Sequence, residues 1–154
     1  MNQFKVKIDD IQESVKVPKG VRLLVRKCCK AVLYEEHQEN YENVKIVFAE
    51  NQILSTLSGE NLARESNELF VRQPEEKDSD VGEPLGEVFI SLDEAMQQSQ
   101  AYNNSFEAEV VYLTAHALFL LLGYKNSDVL ENDVLLDKKN KIIKMLGMKY
   151  HNHA

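Results

Sequence analysis

The sequence predicts one compact domain in which strands and helices interleave, of the α+β or α/β class. Three observations carry that expectation. The chain has 154 residues, enough to bury a core without disulfide or metal staples. Its composition, 44% hydrophobic and 28% charged, is that of an ordinary globular protein. Along the chain, segments of two-residue alternation exchange with segments of helical spacing, and turn-forming residues separate them. No internal repeat or low-complexity tract divides residues 1–154, so a single domain is expected.

Residues 3–9 (QFKVKID) alternate and read as the first strand. Pro18 and Gly20 then break the chain ahead of a helix over about 20–36. Residues 44–48 (VKIVF) form a short, β-branched second strand, and 51–58 a short helix with Asn51 as its cap. Residues 59–84 read as irregular apart from a brief strand at Leu69-Phe70-Val71, and 75–84 (EEKDSDVGEP) as an exposed acidic loop. Residues 85–91 (LGEVFIS) are the fourth strand. Ser91 caps the next helix, of about 92–102, with Glu94 three residues on as the partner in a capping box. Ser105 caps a helix that carries Phe106, Val110, Leu113 and Ala117 on one side, and Gly123 stands where that helix must end. A last amphipathic helix covers roughly 128–146, and 147–154 read as a mobile tail.

The longest apolar run, Val110 to Leu122, is too short to cross a bilayer and reads as a buried helix. The opening residues, MNQFKVKIDD, contain no signal-peptide apolar stretch and no lipidation motif, so a cytoplasmic protein is expected. Cys28 and Cys29 are neighbours on a helix and point in different directions, so they are expected as free thiols in a reducing compartment. The net charge of −7 argues against a dominant nucleic-acid footprint, and no DNA or membrane partner is expected. One basic face nevertheless exists. At 100° per residue, Lys19, Arg22, Arg26 and Lys30 fall within about 80° of one another, opposite Val21, Leu24, Val25, Cys28 and Val32. The plain reading is a solvated helix face, and the sharper one is a patch for phosphates. Lys138, Lys139, Lys141 and Lys144 on the last helix carry the same two readings.

The stretch LGEVFIS, followed by Ala95 and then NNSFEAEVVYLTAHALFLLLGY, resembles the YbeY family of bacterial ribosomal-RNA maturation endoribonucleases. That family shows Leu-Gly-Asp-Ile-x-Ile-Ser, then Ser-Phe-x-x-Glu, then His-Gly-x-x-His-x-x-Gly-Tyr-Asp-His. Leu85, Gly86, Ile90, Ser91, Ala95, Ser105, Phe106, Glu109, His116, Gly123 and Tyr124 match without a gap. The likeness is clearest over 85–124 and looser from the strand near 44 to the helix near 146. It implies an αβα arrangement around a small mixed sheet, here of four strands with about five helices. It also implies a metal site of three histidines, hydrolysis of single-stranded RNA and a role in small-subunit ribosome assembly.

A hydrolytic zinc site needs three protein ligands and an open position for water, whose pKa the metal lowers toward about 7. Histidines at i and i+4 share a helix face, which is why the family's spacing works. The first ligand position here is His116, but the second is Leu120 and the third Asn126, with Lys125 where the family has an acid. Leucine has no lone pair to offer, and a carboxamide is a poor zinc ligand beside imidazole. Two like unit charges a few ångströms apart cost roughly 4 kcal/mol at an effective dielectric near 20, and an ammonium beside a dication costs about twice that. The family's Tyr-Arg-x-x-Asp-x-x-Thr-Asp-Val-Leu-Ser-Phe-Pro segment has drifted too. Anchored on Pro74, it puts Asn61-Leu62 at Tyr-Arg, Glu65 at the Asp and Val71-Arg72-Gln73 at Leu-Ser-Phe. The phosphate-clamping arginine is absent from its place, with Arg64 and Arg72 as substitutes.

Taken alone, a histidine in an apolar helix is more often a satisfied core residue than a ligand. The first functional expectation is therefore a YbeY-like protein with a degenerate metal site, acting as an RNA- or ribosome-associated factor on ribosomal RNA or a small-subunit ribosomal protein. The second is an active endoribonuclease whose site for zinc or another divalent metal is rebuilt from His116 with His151, His153 or a carboxylate such as Glu109. The third is a protein–protein module without an RNA role.

Overall fold

The computed structural model describes residues 4–56, 62–65, 69–74, 83–125 and 128–153. In chain order the elements are β1 (Lys5–Asp10), α1 (Val21–Glu35), β2 (Asn43–Ala49), α2 (Asn51–Thr56), β3 (Leu62–Glu65), β4 (Leu69–Arg72), β5 (Pro84–Ser91), α3 (Leu92–Tyr102), α4 (Phe106–Leu121) and α5 (Val129–Met145). The fold is α+β. The sheet is mixed and runs β1-β2-β5-β4-β3, so β3 joins the four expected strands as a fifth at the edge. β1, β2 and β5 are parallel, whereas β4 is antiparallel to both β5 and β3. β3 has the sequence LARE, which lacks the β-branched alternation by which a strand is recognised.

Central strands must satisfy both faces of the sheet, and β2 shows how alternation does so. Val44, Ile46 and Phe48 enter the main core with α1, α3, α4 and α5, while Val47 and Ala49 enter a smaller cluster with Leu54, Phe70 and Phe89. Leu54 belongs to α2, so helices cover both faces. Almost every residue of α4 is buried, because sheet, α1, α3 and α5 all touch it. A helix enclosed on all sides is apolar all round, which accounts for the greasy run Val110 to Leu122.

The helix ends follow the expected chemistry, with two corrections. Ser91 Oγ accepts from the Glu94 amide at 3.1 Å, and Ser105 Oγ from the Ala108 amide at 3.1 Å. The Glu94 carboxyl does not return to Ser91 but accepts from Asn51 Nδ2 at 3.2 Å. Asn51 is accordingly the first residue of α2 rather than its cap, and its side-chain oxygen takes the Ser91 hydroxyl. That trio ties α2 to the β5–α3 corner. Gly123, at φ 100°, ends α4, with Gly123 N–H donating to Leu120 O and Tyr124 N–H to Phe119 O, both at 3.0 Å.

Gly86 is a point of close approach within the sheet. Its φ is 144°, and a Cβ there would meet Arg72 O at 2.7 Å and Leu121 Cδ2 at 2.8 Å. Gly86→Ala is expected to lower unfolding stability by about 2 kcal/mol, combining backbone strain with overpacking. Urea titration measures it, and an unchanged midpoint would contradict the close approach.

Cys28 and Cys29 are free and fully buried. Desolvation pushes the Cys29 thiol up to about 12 and raises Cys28 well above its usual value, the neighbouring Cys29 adding to the latter. Both are expected to resist an aromatic disulfide reagent in the native protein and to react fully in denaturant. Among the described residues no helix is long and apolar enough to cross a membrane.

Candidate functional site

The helix α4 carries His116 one turn before Leu120 and ends in the Gly123-Tyr124 stop. His116 is buried, and its Nδ1 lies 3.2 Å from Lys139 Nζ of α5. Lys139 is buried as well, with its Nζ 4.3 Å from the centre of the Tyr112 ring. Tyr112, one turn before His116, meets the imidazole edge-on at a centroid distance of 6.5 Å. An ammonium can only donate, so it holds Nδ1 as the acceptor and leaves the ring proton on Nε2. Among the described residues, the buried Nε2 has no hydrogen-bond partner. Desolvation, followed by the Lys139 charge, lowers the His116 pKa from 6.5 to about 3, so the ring is neutral at pH 7.

This arrangement corrects the reading of Lys139 as a solvated phosphate contact. Leu135, Lys139, Ile142 and Ile143 form the buried side of α5. Their spacing of four, three and one is the signal that places Lys139 on the inward face. Its neighbours Lys138 and Lys141 pair instead with Glu36 at 2.9 Å and Glu35 at 2.7 Å. Glu36 also takes the Tyr124 hydroxyl, and Lys138 Nζ lies 5.2 Å from the Tyr124 ring centre. The Gly-Tyr stop is thereby anchored to the end of α1.

The segment after α5, expected to be mobile, is packed against α3 and α4. Asn104 bridges to its backbone, with His151 N–H donating to Oδ1 at 2.7 Å and Nδ2 donating to His151 O at 2.8 Å. Tyr150 stacks on Tyr112 at 4.5 Å, and His153 stacks on Tyr102 at 4.0 Å. Glu109 of α4 is fully buried and receives these groups. Its Oε1 accepts from Asn104 Nδ2 at 2.8 Å and lies 3.0 Å from His153 Nε2, and its Oε2 accepts from Tyr150 OH at 3.2 Å. The tail histidine does fold back, but onto Glu109 and the Tyr102 ring. The His151 contacts are made by its backbone.

A hydrolytic metal needs at least three donors with free lone pairs. Among the described residues, no three His, Cys, Asp or Glu side chains are grouped to hold one. The single imidazole at the first ligand position already engages an ammonium, and Leu120 packs against the core. The described side chains therefore do not fit a zinc centre. Asn126, the acidic stretch 75–82, and the side chain of Arg64 lie outside the described residues. Arg72 pairs with Glu87 at 3.6 Å and stands over the Phe89 ring. Of the basic α1 residues, Arg22 pairs with Asp10 at 3.7 Å, whereas Arg26 and Lys30 line a groove beside β1. Lys19 is exposed just ahead of the helix.

The mixed sheet wrapped around a buried α4, with its Ser-Phe start and Gly-Tyr stop, defines a member of the YbeY endoribonuclease family. The chain belongs to that family: the model described as Endoribonuclease YbeY matches residues 7–147. Among its relatives, Endoribonuclease YbeY of Caldanaerobacter subterraneus subsp. tengcongensis is 31% identical over 158 residues, covering 95% of this chain and 99% of the relative. The protein of that name from Thermoanaerobacter sp. is 30% identical, covering 94% and 99%. That of Desulforamulus reducens is 28% identical, covering 93% and 97%.

Proposed function

We propose that this chain serves in ribosomal-RNA maturation or small-subunit assembly in the cytoplasm as an RNA- or ribosome-associated YbeY protein with little or no metal-dependent cleavage. The observation that carries this reading is the Lys139 ammonium seated 3.2 Å from His116 Nδ1. It supplies positive charge beside the imidazole and fixes the tautomer whose Nε2 bears a proton, so neither ring nitrogen offers a free lone pair. Leu120 one turn on removes a second donor, and the membership of the chain in an endoribonuclease family supports an RNA partner.

Metal analysis of untagged protein purified without chelator tests the reading. Zinc or another divalent metal well below one equivalent is expected, whereas stoichiometric metal lost in His116→Ala would overturn it. An RNA titration across salt separates it from a protein–protein module, since no binding at low salt would leave only the module. The contact also predicts how a site is restored. Leu120→His, Lys125→Asp and Asn126→His together are expected to bind zinc weakly, and adding Lys139→Met to tighten binding about tenfold or more by freeing Nδ1 and the charge. Equal zinc affinity with and without Lys139→Met would show that the ammonium does not block the imidazole.

A further inference from the structure

Among the described residues, β1 is the outer strand of the sheet and pairs only on its β2 side. Lys5 N–H donates to Glu42 O at 2.9 Å and Ile11 N–H to Phe48 O at 3.0 Å, in a continuous parallel register from Lys5 to Asp10. By the two-residue alternation of a strand, the amides and carbonyls of Val6 and Ile8 face outward, away from β2. A groove of about 570 Å³ runs along this edge, lined by Phe4 through Asp9 of the strand and by Arg26 and Lys30 of α1. Val6 and Ile8 pack toward the main core on the α1 side. Lys5 and Lys7 therefore project from the opposite face. The outward row of peptide groups thus has lysines on one flank and Arg26 with Lys30 on the other. The single acid among the lining residues, Asp9, lies 3.6 Å from Lys45.

We propose that this edge is a docking site for an acidic, extended segment of a partner protein, which adds to the sheet as a sixth strand beside β1. Strand addition gives affinity through main-chain hydrogen bonds and selectivity through the flanking side chains. A second copy of β1 would set lysine against lysine, so the edge rejects its own kind while accepting a chain of opposite charge. The outward carbonyls favour a peptide over a nucleic acid. A phosphodiester has no amide to donate to them, whereas a strand satisfies donors and acceptors alternately.

The test uses the full chain and a fluorescent peptide repeating Glu-Glu-Val-Val over eight residues, which presents carboxylates on both faces of a strand. Three companions are the same peptide N-methylated at alternate residues, a peptide with lysine in place of glutamate, and a single-stranded oligouridylate. Binding of the acidic peptide is expected, with new hydrogen-exchange protection at the Val6 and Ile8 amides. It is expected to weaken about tenfold on N-methylation and at least about tenfold in the Lys5→Glu, Lys7→Glu variant, two opposed charges each contributing somewhat under 1 kcal/mol. The variant is expected to gain affinity for the lysine peptide. Equal binding of the methylated peptide, or no protection of those amides, would overturn strand addition. Binding of oligouridylate but not of peptide, lost in the double variant, would replace it with a nucleic-acid groove. The wild-type comparison of the two peptides keeps the proposal falsifiable if the variant fails to fold.

Discussion

Replacing Glu109 with valine is expected to lower unfolding stability by about 4 kcal/mol and to release the segment that follows α5. Removing the acceptor of a buried hydrogen-bonding group typically costs about 1–3 kcal/mol for each group affected. Here three groups lose their contact with the carboxylate at once, Asn104 Nδ2, Tyr150 OH and His153 Nε2, while Asn104 Nδ2 keeps His151 O and Tyr150 OH stays 2.9 Å from His153 Nε2. Asn104 also carries the two backbone bonds to His151, so its reorientation undoes those as well. Limited trypsin digestion at Lys149 reads the release directly, and urea titration reads the stability. Glu109→Gln, which keeps one acceptor oxygen, is expected to lose about half as much. Unaltered digestion in Glu109→Val would mean that aromatic stacking on Tyr112 and Tyr102 suffices to hold the segment.

Acid is expected to destabilise the protein by about 3 kcal/mol between pH 6.5 and pH 4 through His116 alone, at up to about 1.4 kcal/mol per unit. The folded pKa of about 3 lies below the ordinary 6.5, so the unfolded chain takes up the proton first. The contribution is whole above about 6.5 and is lost as pH falls toward about 3. Converting the pair to His116→Leu with Lys139→Met is expected to change stability at pH 7 by less than about 1 kcal/mol, since apolar pairs often replace buried polar ones at little cost. It is also expected to flatten this part of the acid limb. Denaturation midpoints of both proteins at several pH values decide the matter, and parallel limbs would contradict a neutral, buried His116.

Sequence patterning located β1, β2, β4 and β5 and the five described helices to within a few residues, because apolar or β-branched runs mark the strands and a repeat near 3.6 marks the helices. β3 escaped because LARE has no alternating apolar face and gains its place by pairing with β4. The docking of residues 148–153 escaped for a different reason. Its acceptor is a glutamate inside an apolar helix, and nothing local to the tail indicates what it meets. Lys139 was readable in principle from the apolar positions four before it and three after it, but charge suggested a solvated face. The distinction between Lys138 and Lys139 is one of helix phase, to which a count of lysines is blind.

Gly86 fixes something beyond the stability of β5. Its bare Cα lets the Arg72 carbonyl and the Leu121 side chain converge on one point, and Gln73 Nε2 donates to Leu121 O at 3.2 Å from the same strand end. The last turn of α4 is therefore held on one side by the packing of Leu121 on Gly86 and by the Gln73 side-chain amide, and on the other by its own Gly-Tyr stop. Neither hold involves the side chain at position 120. The direction in which that position projects is set by the frame, whatever residue occupies it. Gain or loss of a ligand there is a change of inscription on a fixed page, reachable by a few nucleotide substitutions and without refolding.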